Sequence, residues 1–206
     1  MGKERSLAGL DERDLAPDPI GQFAVWFDQA VAHGIVDADA MTLATAAPDG
    51  RPSARTVLLK GVDEHGFVFY TNYRSRKARE LAANPYAALV FWWPQLQRQV
   101  SATGTVTRAD PAESDAYFAS RSRGSQVGAW ASSQSEVLPG RAELDRRFAE
   151  LAAAYEGVPV PRPPWWGGFR VLPDTVEFWQ GRANRLHDRL RYRRARQGWT
   201  LQRLAP

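Results

Sequence analysis

The 206-residue sequence predicts a single α+β domain, an antiparallel β-barrel with flanking helices. Three observations predict it. From Met41 onward, apolar runs of strand length follow one another across short turns, "PDGRP" and "DEHG", instead of alternating with helices. A helical block at 110–157 separates these runs from a second strand set that reaches the C-terminus. No GxGxxG opens a helix after a strand and no GxxxxGKS is present, so the usual dinucleotide and Walker phosphate loops of parallel α/β folds are absent.

Taken in order, residues 1–17 read as a flexible N-terminal arm and 18–206 as the domain. "DPIGQFAVWFDQAVAHG" reads as a helix. Asp18 caps it, Pro19 suits the first turn, Ile20, Phe23, Phe27 and Val31 share an apolar face, and Gly34 stops it. "MTLATAAPDGRPSARTVLLKGVDEHGFVFYTN" holds three strand-like runs. "SRKARELAANP" is a short helix capped by Ser75 and ended before Pro85. "YAALVFWW" and "RQVSATGTVTRA" are strands. Asp110-Pro111 opens a helix through "AESDAYFASR", and "SQVGAWAS" is a second. "GRAELDRRFAELAAAYEG" is a third, with Leu144, Phe148, Leu151 and Tyr155 on one face. After the connection "VPVPRPPWWGG", four strands are expected: "GFRVLP", "TVEFW", "RLHDRLRYRR" and "WTLQRLAP".

Composition narrows the function. Hydrophobic residues make up 44% and charged residues 24%, which is ordinary for a globular protein. No apolar run approaches the roughly 18 residues a membrane span needs. "MGKERSLAGLDERDLAPDP" lacks the apolar core of a signal peptide, so a cytoplasmic location without membrane contact is expected. The absence of cysteine excludes disulfides, thiolate nucleophiles, iron–sulfur clusters and Cys-rich zinc sites. The only histidines are His33, His65 and His187, and no metal site is expected from them. The net charge of +4 suits small phosphorylated ligands as well as a polyanion. Lysine occurs only at Lys3, Lys60 and Lys77 in a chain that otherwise uses arginine. A compact ammonium does not replace a guanidinium fork, so these lysines draw attention.

The chemistry-bearing residues fall into five clusters at strand or helix ends. Arg55 and Lys60 flank the apolar "RTVLLK". In "YTNYRSRKA", Tyr70 and Thr71 end a strand, and Arg76 and Lys77 begin a helix whose free amides favour an anion. Tyr117, Arg121 and Ser125 are spaced four apart, which places them on one face of a helix. "SSQS" at 132–135 is the fourth. The fifth is "RLHDRLRYRR", preceded by Trp179. Its period of two puts Arg185, His187, Arg189, Arg191 and Arg193 on one face of a strand. Each cluster alone reads as solvated surface or ordinary core. Together they point to two phosphates held on a barrel.

These same stretches, with "RQV", "PPWWGGFRV" and "EFWQGRAN", resemble the pyridoxine (pyridoxamine) 5′-phosphate oxidase family in order from Asp18 to Pro206. The resemblance implies an FMN-binding split β-barrel, a homodimer, and a cofactor cleft that takes residues from both copies. Carried over by motif, FMN contacts are implied at Arg55, Thr56, Val57, Leu58, Leu59, Lys60, Tyr70, Thr71, Arg76, Lys77, Gln99, Gln134, Ser135, Trp179 and Arg189. Lys60, Tyr117, Arg121 and Ser125 are implied to hold a substrate phosphate, with Arg185 and His187 over the substrate ring as the catalytic pair. The implied reaction oxidises pyridoxine or pyridoxamine 5′-phosphate to pyridoxal 5′-phosphate. The substrate C4′ carbon gives a hydride to flavin N5, and O2 is reduced to H2O2. Members often carry an Arg and a Tyr in the N-terminal arm that help close the site; "MGKERSLAG" has no such Tyr. Two alternatives remain on this fold: a flavin oxidase of another ring, of the phenazine-pathway type, and a non-catalytic flavin- or pyridoxal-phosphate-binding barrel. A nucleic-acid binder using the Arg-rich strand leaves the spaced clusters unexplained.

Overall fold

The computed structural model describes residues 9–206. Its elements run α1 (Pro19–Ala32), β1 (Ala40–Ala46), β2 (Pro52–Leu58), β3 (Gly61–Asp63), β4 (Gly66–Asn72), α2 (Arg76–Ala83), β5 (Tyr86–Trp93) and β6 (Arg98–Arg108). They continue with α3 (Pro111–Ser120), α4 (Arg123–Ala131), α5 (Arg141–Ala154), β7 (Trp166–Gln180), β8 (Asp188–Arg194) and β9 (Trp199–Arg203). The strands form one antiparallel sheet ordered β2-β1-β5-β6-β7-β4-β3, with β8 added to β7 and β9 to β8.

β7 decides the architecture. "GFRVLP" and "TVEFW" were expected as two strands but form one of fifteen residues. One edge of β7 pairs with β6 from Phe169 to Gln180. The other edge is divided between β4, at 166–171, and β8, at 175–180. The sheet therefore forks at Pro173, the residue whose missing N–H reads in sequence as a strand end. β6 shifts register opposite the fork, between Thr103 and Gly104. A Cβ on Gly104 would lie 2.0 Å from the Leu172 carbonyl oxygen, so only glycine allows that approach. These features give the split barrel.

Inward-facing Leu43, Phe67, Phe69, Leu89, Phe91, Val100, Val176, Phe178 and Leu190 make the core. α1 plugs it with Phe23, whose ring meets Phe67 at 5.0 Å and Phe91 at 4.8 Å. Asp18 caps α1, accepting from the amides of Ile20 and Gly21, both at 2.9 Å. The buried face differs from the expected one. Phe23, Trp26 and Ala30 are buried, Ile20 and Phe27 are partly buried, and Val31 is 55% exposed. Trp26 packs edge-on to Phe178 and rotates the helix towards the barrel floor. α5 stays peripheral and buries no residue fully; Leu151 and Tyr155 join a second cluster around Phe118, Val127, Val160 and Trp166.

Residues 9–17, expected as part of an arm, are docked on β8 and β9. The Leu10 amide donates to Asp188 Oδ2 at 3.1 Å, Arg203 grips Glu12 at 2.7 and 3.0 Å, and the Tyr192 hydroxyl donates to the Ala16 carbonyl. Residues 1–8, most of the stretch without the expected Tyr, lie outside the described residues. Among the described residues no helix is long and apolar enough to cross a membrane, and no cluster of three His, Asp or Glu could hold a metal.

Candidate functional site

Four of the five sequence clusters meet at one end of the barrel. β2 runs in alternation, so Thr56 and Leu58 turn outward while Arg55 and Val57 are half-buried. The chain turns at Leu59, which is buried, and Lys60. A cleft of about 310 Å³ opens there, lined by Thr56, Val57, Leu58, Lys60, Tyr70, Thr71, Lys77, Tyr117, Arg121, Gln134 and Trp166. A smaller adjoining hollow of about 240 Å³ is lined by Arg121, Ser125 and Gln134, among others.

One wall is aromatic. Tyr70 stacks on Tyr117 at 4.0 Å and on Trp166 at 5.4 Å, and the Arg121 guanidinium lies 4.7 Å over Trp166. Burial and the Glu113 carboxylate push the Tyr70 hydroxyl up to about 12, so it stays protonated. Burial also lowers the pKa of Arg121. Its Nη1 is buried without a hydrogen-bond partner among the described residues. A buried, unpaired guanidinium nitrogen is costly, and a bound anion removes that cost.

The other wall is the start of α2. Ser75 caps the helix and Arg76 donates its backbone amide to Ser135 Oγ at 3.2 Å. Lys77 donates to Gln134 Oε1 at 2.8 Å and Thr71 Oγ1 at 3.2 Å; Thr71 in turn donates to Gln134 at 2.9 Å. Burial, with the nearby Arg55 charge, pushes the Lys77 ammonium down to about 8. Ser135 holds a left-handed φ of 74°, which turns the 132–135 segment against the helix start. Lys60 is paired with Asp39 at 2.7 Å, on the far side of the cleft rim.

Two spacing-based expectations are corrected here. Tyr117, Arg121 and Ser125 do not share one helix. α3 ends at Ser120, Arg121 is its extended C-cap, and Ser125 lies in α4, which Ser122 caps. The break still leaves Tyr117 and Arg121 on one cleft, and Arg121 and Ser125 on its neighbour. The Arg-rich strand begins only at Asp188. Arg185 lies before it in a tight 3-10 turn with φ 61°, after Asn184 at 57°, so Arg185 and His187 are not rungs of a strand. Arg189, Arg191 and Arg193 do share a face of β8.

The remaining predicted residues sit elsewhere. Gln99 faces Trp179 across β6 and β7, and Trp179 faces Arg189 across β7 and β8. His187 packs on Trp179 at 4.5 Å, and its Nδ1 accepts from the Arg182 amide at 3.1 Å. Arg189 is gripped by Glu177 at 2.7 and 3.1 Å, which raises its pKa further. This group lies at the C-terminal end of β7, while Thr71 pairs with Gly167 near its start. The twelve steps from Gly167 to Trp179 make roughly 40 Å of strand path at ~3.3 Å each.

Sequence reasoning missed Trp166, Glu80 and Glu177. Trp166 was visible only as part of "PPWWGG", and Glu80 only as the i+4 neighbour of Arg76. Glu177 had no local signal, because its partner is on the next strand.

Two family models match the chain: "Pyridoxamine 5′-phosphate oxidase" over residues 27–155, and "Pyridoxine 5′-phosphate oxidase C-terminal dimerisation region" over 166–206. A pyridoxine/pyridoxamine 5′-phosphate oxidase of Rubrobacter xylanophilus is 61% identical over 206 residues, covering 100% of this chain and 95% of the relative. One from Burkholderia multivorans is 58% identical, covering 98% of this chain and 95% of the relative. Among solved structures, PhzG from Burkholderia lata, in complex with tetrahydrophenazine-1-carboxylic acid, superimposes with a TM-score of 0.92 at 34% identity, over 98% of this chain and 100% of PhzG.

Proposed function

Because this chain belongs to the pyridoxamine 5′-phosphate oxidase family, we propose that its two half-sites are joined across a homodimer, one copy supplying the Lys77–Arg121 cleft and the other the Trp179–Arg189 end. It is an FMN-dependent oxidase that converts pyridoxine or pyridoxamine 5′-phosphate to pyridoxal 5′-phosphate. The observation that carries this reading is the pairing of two cationic positions in one cleft: Lys77 at the α2 start, and Arg121, whose Nη1 has no hydrogen-bond partner among the described residues, beside Tyr117.

The residues present fit FMN. Lys77 is a desolvated ammonium beside a helix start, bonded to Thr71 and Gln134, with Ser135 on the neighbouring Arg76 amide, a set suited to a phosphate dianion. When bound, FMN takes up the two electrons removed from the substrate carbon. The chain's own residues bind and orient. Arg76 and Lys77 would hold the cofactor phosphate, and residues 55–60 would contact the rest of the cofactor. Gln99, Trp179 and Arg189 of the second copy would complete its site. Lys60, Tyr117, Arg121 and Ser125 hold the substrate phosphate, and that remote grip supplies binding energy used to orient the reacting ring. Arg185 and His187 lie over the ring. With Nδ1 accepting from the Arg182 amide, Nε2 is the nitrogen His187 has left to offer the substrate as a donor. O2 is the final electron acceptor and leaves as H2O2.

The likeness to PhzG favours a second reading, oxidation of a carboxylated ring. A side-by-side assay decides. Peroxide release is expected from pyridoxine and pyridoxamine 5′-phosphate, and none from a dihydrophenazine carboxylate; the reverse preference overturns the leading reading. The purified protein is expected to be yellow and to release FMN on denaturation.

Lys77 makes the FMN affinity pH-dependent. The free ammonium titrates near 8, and a bound phosphate raises that value. Below pH 8 both states are protonated and affinity is maximal. Above it, binding must take up a proton, and affinity falls by roughly tenfold per pH unit until the bound-state pKa is reached. FMN fluorescence quenching between pH 7 and 10 measures this, and a flat profile removes Lys77 from the phosphate.

A further inference from the structure

Glu80 is a carboxylate in a cluster otherwise built to hold an anion. It sits one turn into α2 and is buried, 6% exposed. Four donors converge on it: Thr45 Oγ1 and Ser53 Oγ at 2.5 Å each, Arg76 Nε at 2.8 Å and Arg55 Nη2 at 3.4 Å. Burial alone raises its pKa, but the bonds from Ser53, Thr45 and Arg76 outweigh burial and hold the carboxyl down at about 2, so it is charged at every working pH.

We propose that Glu80 is a positioning residue for the cofactor-phosphate cradle, fixing Arg55 and Arg76 beside Lys77 and offsetting one of their three charges. The inference rests on the FMN reading above. Its physical basis is the way each guanidinium is used. Arg55 is tied down on both terminal nitrogens, by the Leu43 carbonyl at 3.1 Å and Thr45 Oγ1 at 2.7 Å on one, and by Ser53 and Glu80 on the other. It is a fixed charge. Arg76 gives Glu80 only its Nε, and among the described residues no partner takes its terminal nitrogens, so they stay available to a phosphate. Its side chain is 60% exposed, and the Glu80 bond is what holds an otherwise mobile fork at the helix start. Without the carboxylate, Arg55, Arg76 and Lys77 are three cations close enough that Arg55 already depresses Lys77. Repulsion then drives Arg76, the exposed one, away into water. With Glu80 the net cradle charge is +2, which matches a phosphate dianion.

A purely structural role is the competing explanation, since Glu80 also ties α2 to β1 and β2 through Thr45 and Ser53. Riboflavin separates the two, because it carries the same ring system without the phosphate. The experiment measures FMN and riboflavin dissociation constants by fluorescence quenching on the full-length wild type and Glu80→Gln. Glu80→Gln is expected to weaken FMN at least tenfold and riboflavin less than twofold. Equal weakening of both ligands, or an FMN affinity that is unchanged or tighter, overturns the proposal. A wild type that binds FMN no better than riboflavin overturns the cofactor reading and this inference with it, whereas a wild-type preference that keeps its full size in Glu80→Gln overturns the inference alone. Should Glu80→Gln not fold, Glu80→Asp keeps the charge but shortens the reach by one methylene. It is expected to weaken FMN about threefold with riboflavin unmoved, and equal weakening counts against the proposal in the same way.

Discussion

Arg121→Ala is expected to raise KM for pyridoxine 5′-phosphate by roughly 10- to 150-fold, the equivalent of one charge-assisted hydrogen-bonded contact at about 1.5–3 kcal/mol. The effect belongs to the substrate because Arg121 Nη1 is buried and unpartnered, while its guanidinium face is already used on Trp166 at 4.7 Å. Stacking fixes the plane of the fork, so an incoming phosphate meets a donor that has little freedom left to lose. Arg121→Lys keeps the charge but loses the stacked fork, and is expected to recover only part of the affinity. FMN affinity is expected to shift less than threefold in both variants. Steady-state kinetics with FMN in excess, alongside FMN binding, checks this. A KM that does not move, or equal losses for cofactor and substrate, removes Arg121 from the substrate phosphate.

Arg185→Ala is expected to lower kcat/KM by roughly 10²-fold or more while the protein still takes up FMN, the size expected for a group that assists at the reacting centre. The backbone marks this residue. Asn184 and Arg185 hold φ of 57° and 61° in succession, a conformation that costs a non-glycine residue roughly 1–2 kcal/mol. The structure around them maintains it: Gly181 donates its amide to the Gln97 carbonyl at 2.8 Å, and Arg182 donates its own to His187 at 3.1 Å. Such strain is found where a side chain must be aimed. Arg185→Gly is the control, because glycine relieves the backbone while removing the same side chain. Equal activity loss in both variants, with Arg185→Gly the more stable by thermal unfolding, assigns the effect to the guanidinium. Loss of flavin in step with activity assigns Arg185 to cofactor binding or folding instead.

The extent of the fold legible in sequence follows from which signals are local. Caps are local, and Asp18, Ser75 and Asp110 all accept amides at the expected helix starts. Hairpins with short turns are local, and β1–β2 and β3–β4 pair across "PDGRP" and "DEHG". Pro173 misled because a proline inside a strand looks the same in sequence whether the strand ends or is bulged; the pairing partner decides. α1 was rotated from its expected face because Phe27 and Trp26 are both apolar, and only the position of Phe178 selects Trp26 for burial. Regular spacing also misled at 117–125 and at 185–189, where a period of four and a period of two each crossed the end of an element.

By itself the sequence determined the inventory: arginines, two lysines, tyrosines and hydroxyls at element ends, with no cysteine and few histidines, which suits anion binding and excludes thiolate chemistry. Their order along the chain also carried the family. Only the tertiary structure decided how that inventory is divided. Arg189 pairs opposite Trp179 at one end of β7, whereas Thr71, which Lys77 contacts, pairs opposite Gly167 at the other. The cations that look alike in sequence also differ in their partners. Glu177 takes Arg189, Asp39 takes Lys60, Glu80 takes Arg55 and Arg76, and Arg121 Nη1 is left buried and unmatched. The reason is physical: charge and spacing are properties of the chain, whereas desolvation and pairing depend on neighbours that only folding brings within a few ångströms.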